Sequence, residues 1–262
     1  MIQKIEKNNT LIKNLNKLRV DSKFRNEQSL FYIEGLKILL DTPFDLIHEL
    51  YICEDVFDDF IKKCPIYNKK NIYVLSNNIY DKVKDTTNSQ GYIATVRYNI
   101  IDEINENDIN KMKRCIVLDN VNDPGNLGTI IRLAEASNID LIILANHCCN
   151  IYNPKVIRAS MSSIFRTKIL VADNVTNIID ILRRSEFNIL STSLSDNSKL
   201  YTDINYRNKT VLIFGNEANG VSEGLLNISD DLVKIPMGGE IESLNVAISA
   251  AIICYEIVRQ NN

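Results

Sequence analysis

The residues of this chain that could perform chemistry lie in three polar segments of its second half, and each segment contains glycine. Their side chains are carboxylates, amides, a hydroxyl and a guanidinium: Asp119, Asn120, Asn122, Asp123, Asn126 and Arg132 in the first segment, Asn216, Glu217 and Asn219 in the second, and Ser243 and Asn245 in the third. Such groups orient ligands by hydrogen bonds and bind phosphate. Asn and Asp also favour turns, and Ser243 is a natural helix N-cap, so a structural role stays open for each residue taken alone.

Glycine is scarce in this chain and marks the same three segments. Nine glycines among 262 residues are roughly 3%, compared with about 7% in typical soluble proteins, and seven of the nine are Gly125, Gly128, Gly215, Gly220, Gly224, Gly238 and Gly239. The G-x-G-x-x-G dinucleotide pattern is absent, and Val221 stands where a phosphate loop beginning at Gly215 requires lysine. The segments therefore predict ligand-binding loops, and they disfavour a dinucleotide enzyme or a nucleotide triphosphatase.

Cysteine and histidine offer little for metal or triad chemistry. The six cysteines form no C-x-x-C pair, and the two histidines, His48 and His147, are too few for a histidine-rich site. We therefore predict reduced thiols and no bound metal. Because 45% of the residues are hydrophobic and no bilayer-length apolar run or apolar signal core is present, we predict a cytoplasmic globular protein that does not enter membranes.

Charge is uneven along a chain whose net formal charge is -3. Residues 1–40 contain eight basic and four acidic residues. A local basic face of this kind can contact phosphates, and an ordinary solvated helix face explains it equally well.

The elements that must position the polar segments predict two α/β domains. Residues 1–98 alternate helical patterns with short apolar runs, and the polar residues 99–113 predict a linker. Residues 114–262 predict a parallel sheet covered by helices, with apolar strands at 115–119, 141–145, 168–172, 188–194, 210–215 and 232–236. A largely buried helix is predicted from Ser243 to Val258. Because each glycine segment follows a strand, the three segments are expected to meet at the carboxyl edge of the sheet.

Four ordered motifs occupy the second half: LDNVNDPGNLGTIIRLAEA (118–136), NPKVIRASMSSIF (153–165), LIFGNEANGVS (212–222) and IPMGGEIESLNVAISAA (235–251). In order and spacing they resemble the motifs of the SpoU/TrmH family of RNA ribose 2′-O-methyltransferases, within the SPOUT superfamily. In the first half, LNKLRVDSKFRNEQSLFYIEG (15–35) and SQGYIATV (89–96) are similar to that family's substrate-binding domain. Two positions depart from the family pattern, because Ser162 stands where glycine is common and Ala218 stands where G-N-E-G is frequent.

The resemblance implies a SPOUT domain with a trefoil knot at residues 114–262, bound S-adenosylmethionine, an RNA substrate and a homodimer whose subunits share the active site. By position it implies the catalytic residues Asn126, Arg132, Glu217, Ser243 and Asn245. It implies cofactor contacts at Thr192, Leu194, Gly215, Asn216, Ile235, Met237, Gly239 and Leu244. Candidate RNA-binding residues are Arg19, Lys23 and Arg25 in the basic stretch, and Lys155 and Arg158, for which surface charges on a short helix are the alternative.

Methyl transfer from a sulfonium to a ribose hydroxyl suits a chain poor in histidine and metal ligands, because the thioether leaves as a neutral group. The site must hold the cofactor, align the hydroxyl and help to remove its proton. Arg132 either activates the hydroxyl beside a phosphate, or it only binds phosphate while Glu217 or water accepts the proton, since a guanidinium normally has a pKa above about 12. Within the family that the chain resembles, a separate N-terminal binding domain is typical of members that modify ribosomal RNA, so the resemblance implies large-subunit ribosomal RNA as the substrate. A tRNA methyltransferase and an RNA-binding protein without catalysis are the alternatives.

Overall fold

The computed structural model describes residues 1–7, 9–101 and 103–262. In chain order the elements are β1 (Ile2–Ile5), α1 (Thr10–Val20), α2 (Ser22–Gln28), β2 (Leu30–Glu34), α3 (Leu36–Asp41), β3 (Ile47–Cys53), α4 (Glu54–Lys63), β4 (Asn71–Leu75), α5 (Asn77–Val83), β5 (Tyr92–Arg97), α6 (Glu106–Asn110), β6 (Arg114–Asp119), α7 (Pro124–Ala136), β7 (Leu141–Ala145), α8 (Pro154–Ser160), β8 (Ile169–Val171), α9 (Val175–Arg184), β9 (Asn188–Thr192), β10 (Lys199–Leu200), β11 (Thr210–Phe214), α10 (Glu223–Asn227), β12 (Asp231–Lys234) and α11 (Val246–Asn261). They pack as two units, Met1–Asn99 with Asn150–Phe165, and Ile100–Cys149 with Arg166–Asn262. Within the described ranges, no helix has the length and apolar character needed to cross a membrane.

The first unit is built on a five-stranded mixed sheet with the order β1-β4-β3-β5-β2. Strands β1, β4 and β3 are parallel, whereas β5 runs antiparallel to both β3 and β2. Helix α1 begins at Asn9, whose side-chain oxygen accepts the Ile12 N–H at 3.1 Å, a helix cap of the usual kind. Its apolar residues Ile12, Leu15 and Leu18 join the core over the sheet. This unit confirms the predicted small α/β fold.

The second unit is built on a seven-stranded parallel sheet with the order β10-β12-β9-β11-β6-β7-β8. Strands β7 and β11 are buried along their whole length, as expected for apolar strands covered on both faces. The six predicted strands are all present, and β10 was missed because it has only two exposed residues. Strands β6 and β11 pair directly, so the loops that follow them are neighbours. The α/β fold class is confirmed. The trefoil knot stays a prediction, since strand order alone does not specify how a chain is threaded.

The packing differs from the predicted boundaries in two places. The segment predicted as a linker contributes Ile109 and Met112 to the buried core of the second unit, because its few apolar residues pack against the other apolar residues of that core. Residues 150–165, predicted in the C-terminal domain, pack in the first unit. There the Tyr152 ring stacks on Tyr98 and Phe31, with centroid distances of 3.9 and 4.4 Å. Aromatic packing of this kind is not visible in the linear order of motifs.

Helix α11 differs from the prediction at its start and in its burial. Its N-cap is Asn245 rather than Ser243, because the Asn245 side-chain oxygen accepts the N–H groups of Ala247 and Ile248 at 2.9 and 3.3 Å. One face packs on the fold, but Ile248 and Tyr255 on the other are 52% and 53% exposed. An apolar composition all round the helix thus leaves an uncovered apolar face on the single chain.

The departure at Ser162 has a backbone consequence. Ser162 is buried and has a φ of +70°, following Met161 with a φ of +49°. Because a Cβ atom is disfavoured in this left-handed region, we expect Ser162→Gly to raise the free energy of unfolding by up to about 1 kcal/mol, measured by urea denaturation.

Ala218 provides the matched control for Ser162→Gly. Ala218 does not have a positive φ, so we expect Ala218→Gly to lower the free energy of unfolding by about 0.5–1 kcal/mol through the added freedom of the unfolded chain. A Ser162→Gly variant less stable than the parent protein would contradict the backbone argument.

Candidate active site

A cleft of about 410 Å³ opens at the carboxyl edge of the parallel sheet in the second unit. It is bounded by residues that follow β9, β11 and β12 and by residues that precede α11. Of the predicted cofactor contacts, those that line the cleft are Thr192, Leu194, Gly215, Asn216, Ile235, Met237 and Leu244. The remaining one, Gly239, is exposed and does not line it. Sequence reasoning missed several lining residues that adjoin predicted positions, among them Ser193, Lys234 and Glu242.

The loop after β11 is closed on itself and depends on glycine. Asn216 and Gly220 exchange two backbone hydrogen bonds, N–H to O=C, at 3.1 and 2.8 Å. The two ends of the loop approach so closely that a Cβ atom added at Gly215 would lie 2.0 Å from the carbonyl carbon of Gly220 and 2.2 Å from the Val221 nitrogen. Gly220 itself has a φ of +69°. We call residues 215–222 the glycine loop.

Hydrogen bonds between side chains bring the three polar segments together. The Asn245 side-chain amide donates to the Asn126 side-chain oxygen at 2.9 Å, and the Asn126 amide in turn donates to the Glu217 carboxylate. Asn126 is held at the start of α7, where the N-cap Asp123 accepts its backbone N–H at 2.8 Å. The predicted meeting of the three segments at the sheet edge is therefore confirmed. Glu217 lines the cleft, so this series of hydrogen bonds ends at the cleft wall. We call Asn245, Asn126 and Glu217, in that order, the amide chain.

Asn245 has two tasks that substitution can separate. Its side-chain oxygen caps α11, and its side-chain nitrogen donates to Asn126. We expect Asn245→Ala to lower the free energy of unfolding by about 1 kcal/mol through the lost cap, and also to lower activity. We expect Asn245→Asp to keep the cap and the stability but to lose activity, because a carboxylate cannot donate to Asn126. Chemical denaturation and turnover, measured on both variants, check this; full activity in Asn245→Asp would contradict a role for the amide chain.

The other two predicted catalytic residues differ in placement. Ser243 is exposed and lines the cleft. Arg132 is exposed on α7, does not line the cleft, and has no hydrogen bond or ion pair with the residues that the structure describes. Its guanidinium is therefore available to a ligand or to another chain.

Sequence reasoning counted Asp119 among the polar residues of the first segment but assigned it no role in the site. This carboxylate is only 1% exposed at the end of β6. One oxygen accepts the Asn146 side-chain amide and the other accepts the Ser222 N–H, each at 2.7 Å. The signal in the sequence was a carboxylate directly ending a continuous apolar strand, where burial is expected.

The five predicted RNA-binding residues all belong to the first unit. Lys23 and Lys155 are exposed. Arg19 donates to the Lys84 carbonyl and Arg158 pairs with the Asp85 carboxylate, so these two arginines converge on adjacent residues. The prediction for Arg25 is corrected: it is 3% exposed, and its guanidinium donates to the carbonyls of Leu18 and Arg19 at 2.9 and 3.2 Å. Arg25 therefore joins helix α2 to helix α1, although it lies in a basic stretch of the sequence.

The cysteines are free thiols, as predicted. Burial raises the pKa of Cys148 to about 11 and that of Cys254 to about 12, so both are neutral at physiological pH. The Cys148 thiol donates to the carbonyls of Ala145 and Leu118 at 3.1 and 3.2 Å and packs beside the sheet edge. Neither of these two thiols has the thiolate character of a nucleophile.

The fold and the site define an α/β protein with a cleft between loops at the carboxyl edge of a parallel sheet, the place where open α/β sheets bind ligands, lined by backbone, amide and carboxylate groups. Residues 113–255 match the model of the SpoU rRNA Methylase family, and residues 9–94 match the MRM3-like substrate binding domain. The chain therefore belongs to the SpoU rRNA methylase family, as its motifs predicted.

One relative and two solved structures match nearly the whole length of the chain. The 23S rRNA (guanosine(2553)-2′-O)-methyltransferase RlmP of Bacillus subtilis is 30% identical over 254 residues, covering 95% of this chain and 96% of that protein. A structure of an AdoMet-bound rRNA methyltransferase from Sinorhizobium meliloti is 27% identical, with a TM-score of 0.85 and 98% coverage of both chains. The AdoMet complex of the SpoU methyltransferase AviRb from Streptomyces viridochromogenes has the same fold, with a TM-score of 0.82, 21% identity and coverage of 97% of this chain and 98% of that one.

Proposed function

We propose that this protein transfers a methyl group from S-adenosylmethionine to a ribose 2′-hydroxyl of large-subunit ribosomal RNA, in the cytoplasm. The observation that carries the proposal is the amide chain from Asn245 through Asn126 to Glu217, which ends at a glycine-closed cleft. The relative matched along nearly the whole chain acts on the 2′-oxygen of a 23S rRNA guanosine. Residues 1–98 would bind the RNA, and residues 114–262 would catalyse the methyl transfer. Residues 99–113 would connect these two parts of the chain.

The cleft fits S-adenosylmethionine in chemistry. Leu194, Ile235 and Leu244 offer an apolar wall for the adenine, and the carboxylates of Glu217 and Glu242 favour a positively charged ligand. The absence of a Cβ at Gly215 lets the closed loop form part of that wall. When bound, the cofactor supplies an electrophilic methyl group on a positively charged sulfur. The protein then has to align the ribose oxygen with that methyl group and to exclude water.

Removal of the 2′-hydroxyl proton is assigned to the residues around the amide chain. Arg132 binds the phosphate beside the target ribose, since its guanidinium is exposed and without a partner in the described chain. Asn126, Ser243 and Asn245 fix the geometry. The proton acceptor is the Glu217 carboxylate, which the Asn126 amide already orients, or water, unless Arg132 first loses its own proton and acts as a neutral guanidine base.

RNA binding is assigned to the first unit. Arg19 and Arg158 approach neighbouring residues of one loop, and the exposed Lys23 and Lys155 add positive charge to the same unit. Contacts of this kind make affinity fall as salt rises, because phosphate binding releases counterions.

A homodimer is part of the proposal, supported by the uncovered face of α11. Ile248 and Tyr255 lie seven residues apart, on one face of the helix, and both are about half exposed. We expect Ile248→Glu to convert a dimer to a monomer, because burying a carboxylate in an apolar interface is unfavourable. Light scattering after gel filtration measures the mass. Val171→Glu, at an apolar residue 47% exposed on the edge strand β8, is the control that should stay dimeric; a monomeric parent protein would contradict the dimer.

The proposed activity is tested by incubating purified protein with labelled S-adenosylmethionine and RNA lacking modifications. One reaction contains 23S rRNA and a second contains total tRNA, followed by mapping of the methylated nucleotide. We expect label at one ribose of 23S rRNA. Label only in tRNA would overturn the substrate, and RNA binding without methyl transfer would identify a catalytically inactive member of the family.

A further inference from the structure

Asp119 and the residue that follows it hold the glycine loop at both of its ends. The Asp119 carboxylate accepts the Ser222 N–H at 2.7 Å, at the end of the loop. The Asn120 carbonyl accepts the Asn216 side-chain amide at 3.0 Å, near the beginning of the loop. Asn120 has a φ of +58°, which turns the chain sharply after β6.

We propose that Asp119 is a positioning residue that keeps the glycine loop in its ligand-binding shape. Asp119 does not line the cleft, so it acts through the loop rather than by touching a ligand. The proposal rests on the proposed function only where it names S-adenosylmethionine as the ligand. The shape of the loop is a property of the protein itself.

The effect of this carboxylate reaches the cleft through two short steps. Ser222 directly follows Val221, whose nitrogen and the adjoining Gly220 carbonyl group lie against the Gly215 backbone. If the Ser222 N–H loses its acceptor, the restraint on the contact between Gly220 and Gly215 weakens. The wall made by residues 215–221 then becomes free to move, and a ligand has to order it again on binding.

The second hydrogen bond of Asp119 explains the use of a carboxylate at this position. Its other oxygen accepts the side-chain amide of Asn146, in the loop after β7. Both partners donate, so the residue must offer two acceptors, which an aspartate does and an asparagine does not. Asn146 has a φ of +42°, a conformation that glycine and aspartate also tolerate.

Four variants separate loop positioning from general support of the fold. Asp119→Ala removes both bonds, and Asn146→Gly removes only the bond to the loop after β7 while keeping its backbone conformation. In the double variant Asp119→Asn with Asn146→Asp, residue 119 still accepts the Ser222 N–H through its side-chain oxygen. Its side-chain amide now donates to the carboxylate at position 146, so both bonds are kept and only the second is reversed in direction. Asp119→Asn alone keeps an acceptor for the Ser222 N–H, and rotation of the Asn146 side chain restores the second bond, so this folded variant should bind the cofactor as the parent protein does; weak binding in it would contradict the hydrogen-bond argument.

Hydrogen exchange of the loop amides and cofactor binding by calorimetry are measured on each variant. We expect Asp119→Ala to speed exchange at residues 216–222 and to weaken S-adenosylmethionine binding about tenfold to a hundredfold, the usual loss for a hydrogen bond to a charged group. At saturating cofactor, kcat should change little while KM for the cofactor rises. Asn146→Gly and the double variant should bind the cofactor as the parent protein does.

The outcomes separate this inference from the proposed function. Unchanged exchange in the glycine loop of Asp119→Ala, or unchanged cofactor affinity together with a lower melting temperature, would overturn the positioning role. Failure of the parent protein to bind S-adenosylmethionine, with faster exchange in the loop of Asp119→Ala, would overturn the proposed cofactor and leave the positioning role supported.

Discussion

Gly215→Ala is expected to abolish cofactor binding and to destabilise the protein. The added Cβ would lie 2.0 Å from the carbonyl carbon of Gly220, which is a backbone atom that cannot rotate away. The loop must open to relieve the overlap, and the hydrogen bonds between Asn216 and Gly220 are then lost. We expect the free energy of unfolding to fall by about 1–3 kcal/mol, the range for overpacking. Calorimetric titration with S-adenosylmethionine should give no measurable heat of binding.

Gly224→Ala is the matched control for this change. Gly224 lies in α10, just after the glycine loop, and a Cβ atom there would meet no atom within 4 Å. Alanine favours helix relative to glycine by about 0.5–1 kcal/mol, so this variant should be as stable as the parent protein or slightly more so, with the same affinity. Parent-like affinity in Gly215→Ala would show that the closed loop does not form the binding wall.

Arg132→Ala is expected to lower kcat by about a hundredfold to a thousandfold, the usual effect of removing one group that stabilises developing charge. Cofactor affinity should not change, because Arg132 does not line the cleft. Single-turnover methylation of the identified RNA and calorimetric titration measure the two quantities. Arg184→Ala is the control, since Arg184 is an exposed arginine at the end of α9 that pairs with Glu106. A parent-like kcat in Arg132→Ala would remove Arg132 from the mechanism.

Two further substitutions identify the proton acceptor. In Arg132→Lys a positive charge remains to bind phosphate, although the planar fork of the guanidinium is lost. Because an ammonium loses its proton at a lower pH than a guanidinium, a substantial rate in Arg132→Lys with an unchanged pH–rate profile would exclude position 132 as the base. In Glu217→Gln the side chain still offers an oxygen to the Asn126 amide, so the geometry is kept while the carboxylate is removed. If Glu217 accepts the proton, Glu217→Gln should lose most of its rate.

The motifs and the apolar strands could be predicted from the sequence because both are local patterns. Continuous apolar runs indicate strands buried on both faces, and strands of this kind alternating with helices favour a parallel sheet. In a parallel sheet the carboxyl ends lie at one edge, which is why Asn126, Glu217 and Asn245 could be expected to meet although 119 positions separate the first from the last. Residue types alone also disfavoured a phosphate loop, because Val221 stands where the lysine is needed, and a thiolate metal site.

Other features depended on contacts between residues distant in sequence, and only the tertiary structure decided them. Arg25 was predicted to contact phosphate, but its guanidinium is buried and donates to two backbone carbonyls. The left-handed backbone of Ser162 depends on how the chain leaves α8, and the position of residues 150–165 depends on the aromatic stack around Tyr152.

The cleft shows most clearly which features the sequence determines and which only the tertiary structure decides. The sequence by itself determined the family, the parallel sheet and the three polar loops, because short patterns of residue type and spacing encode them. The tertiary structure decided that Asp119 faces Ser222 across 103 positions and that Gly215 touches Gly220. The first contact depends on the pairing of β6 with β11, and the second depends on the hydrogen bonds that close the loop after β11, and neither the pairing nor the closure is contained in a pattern of residue types.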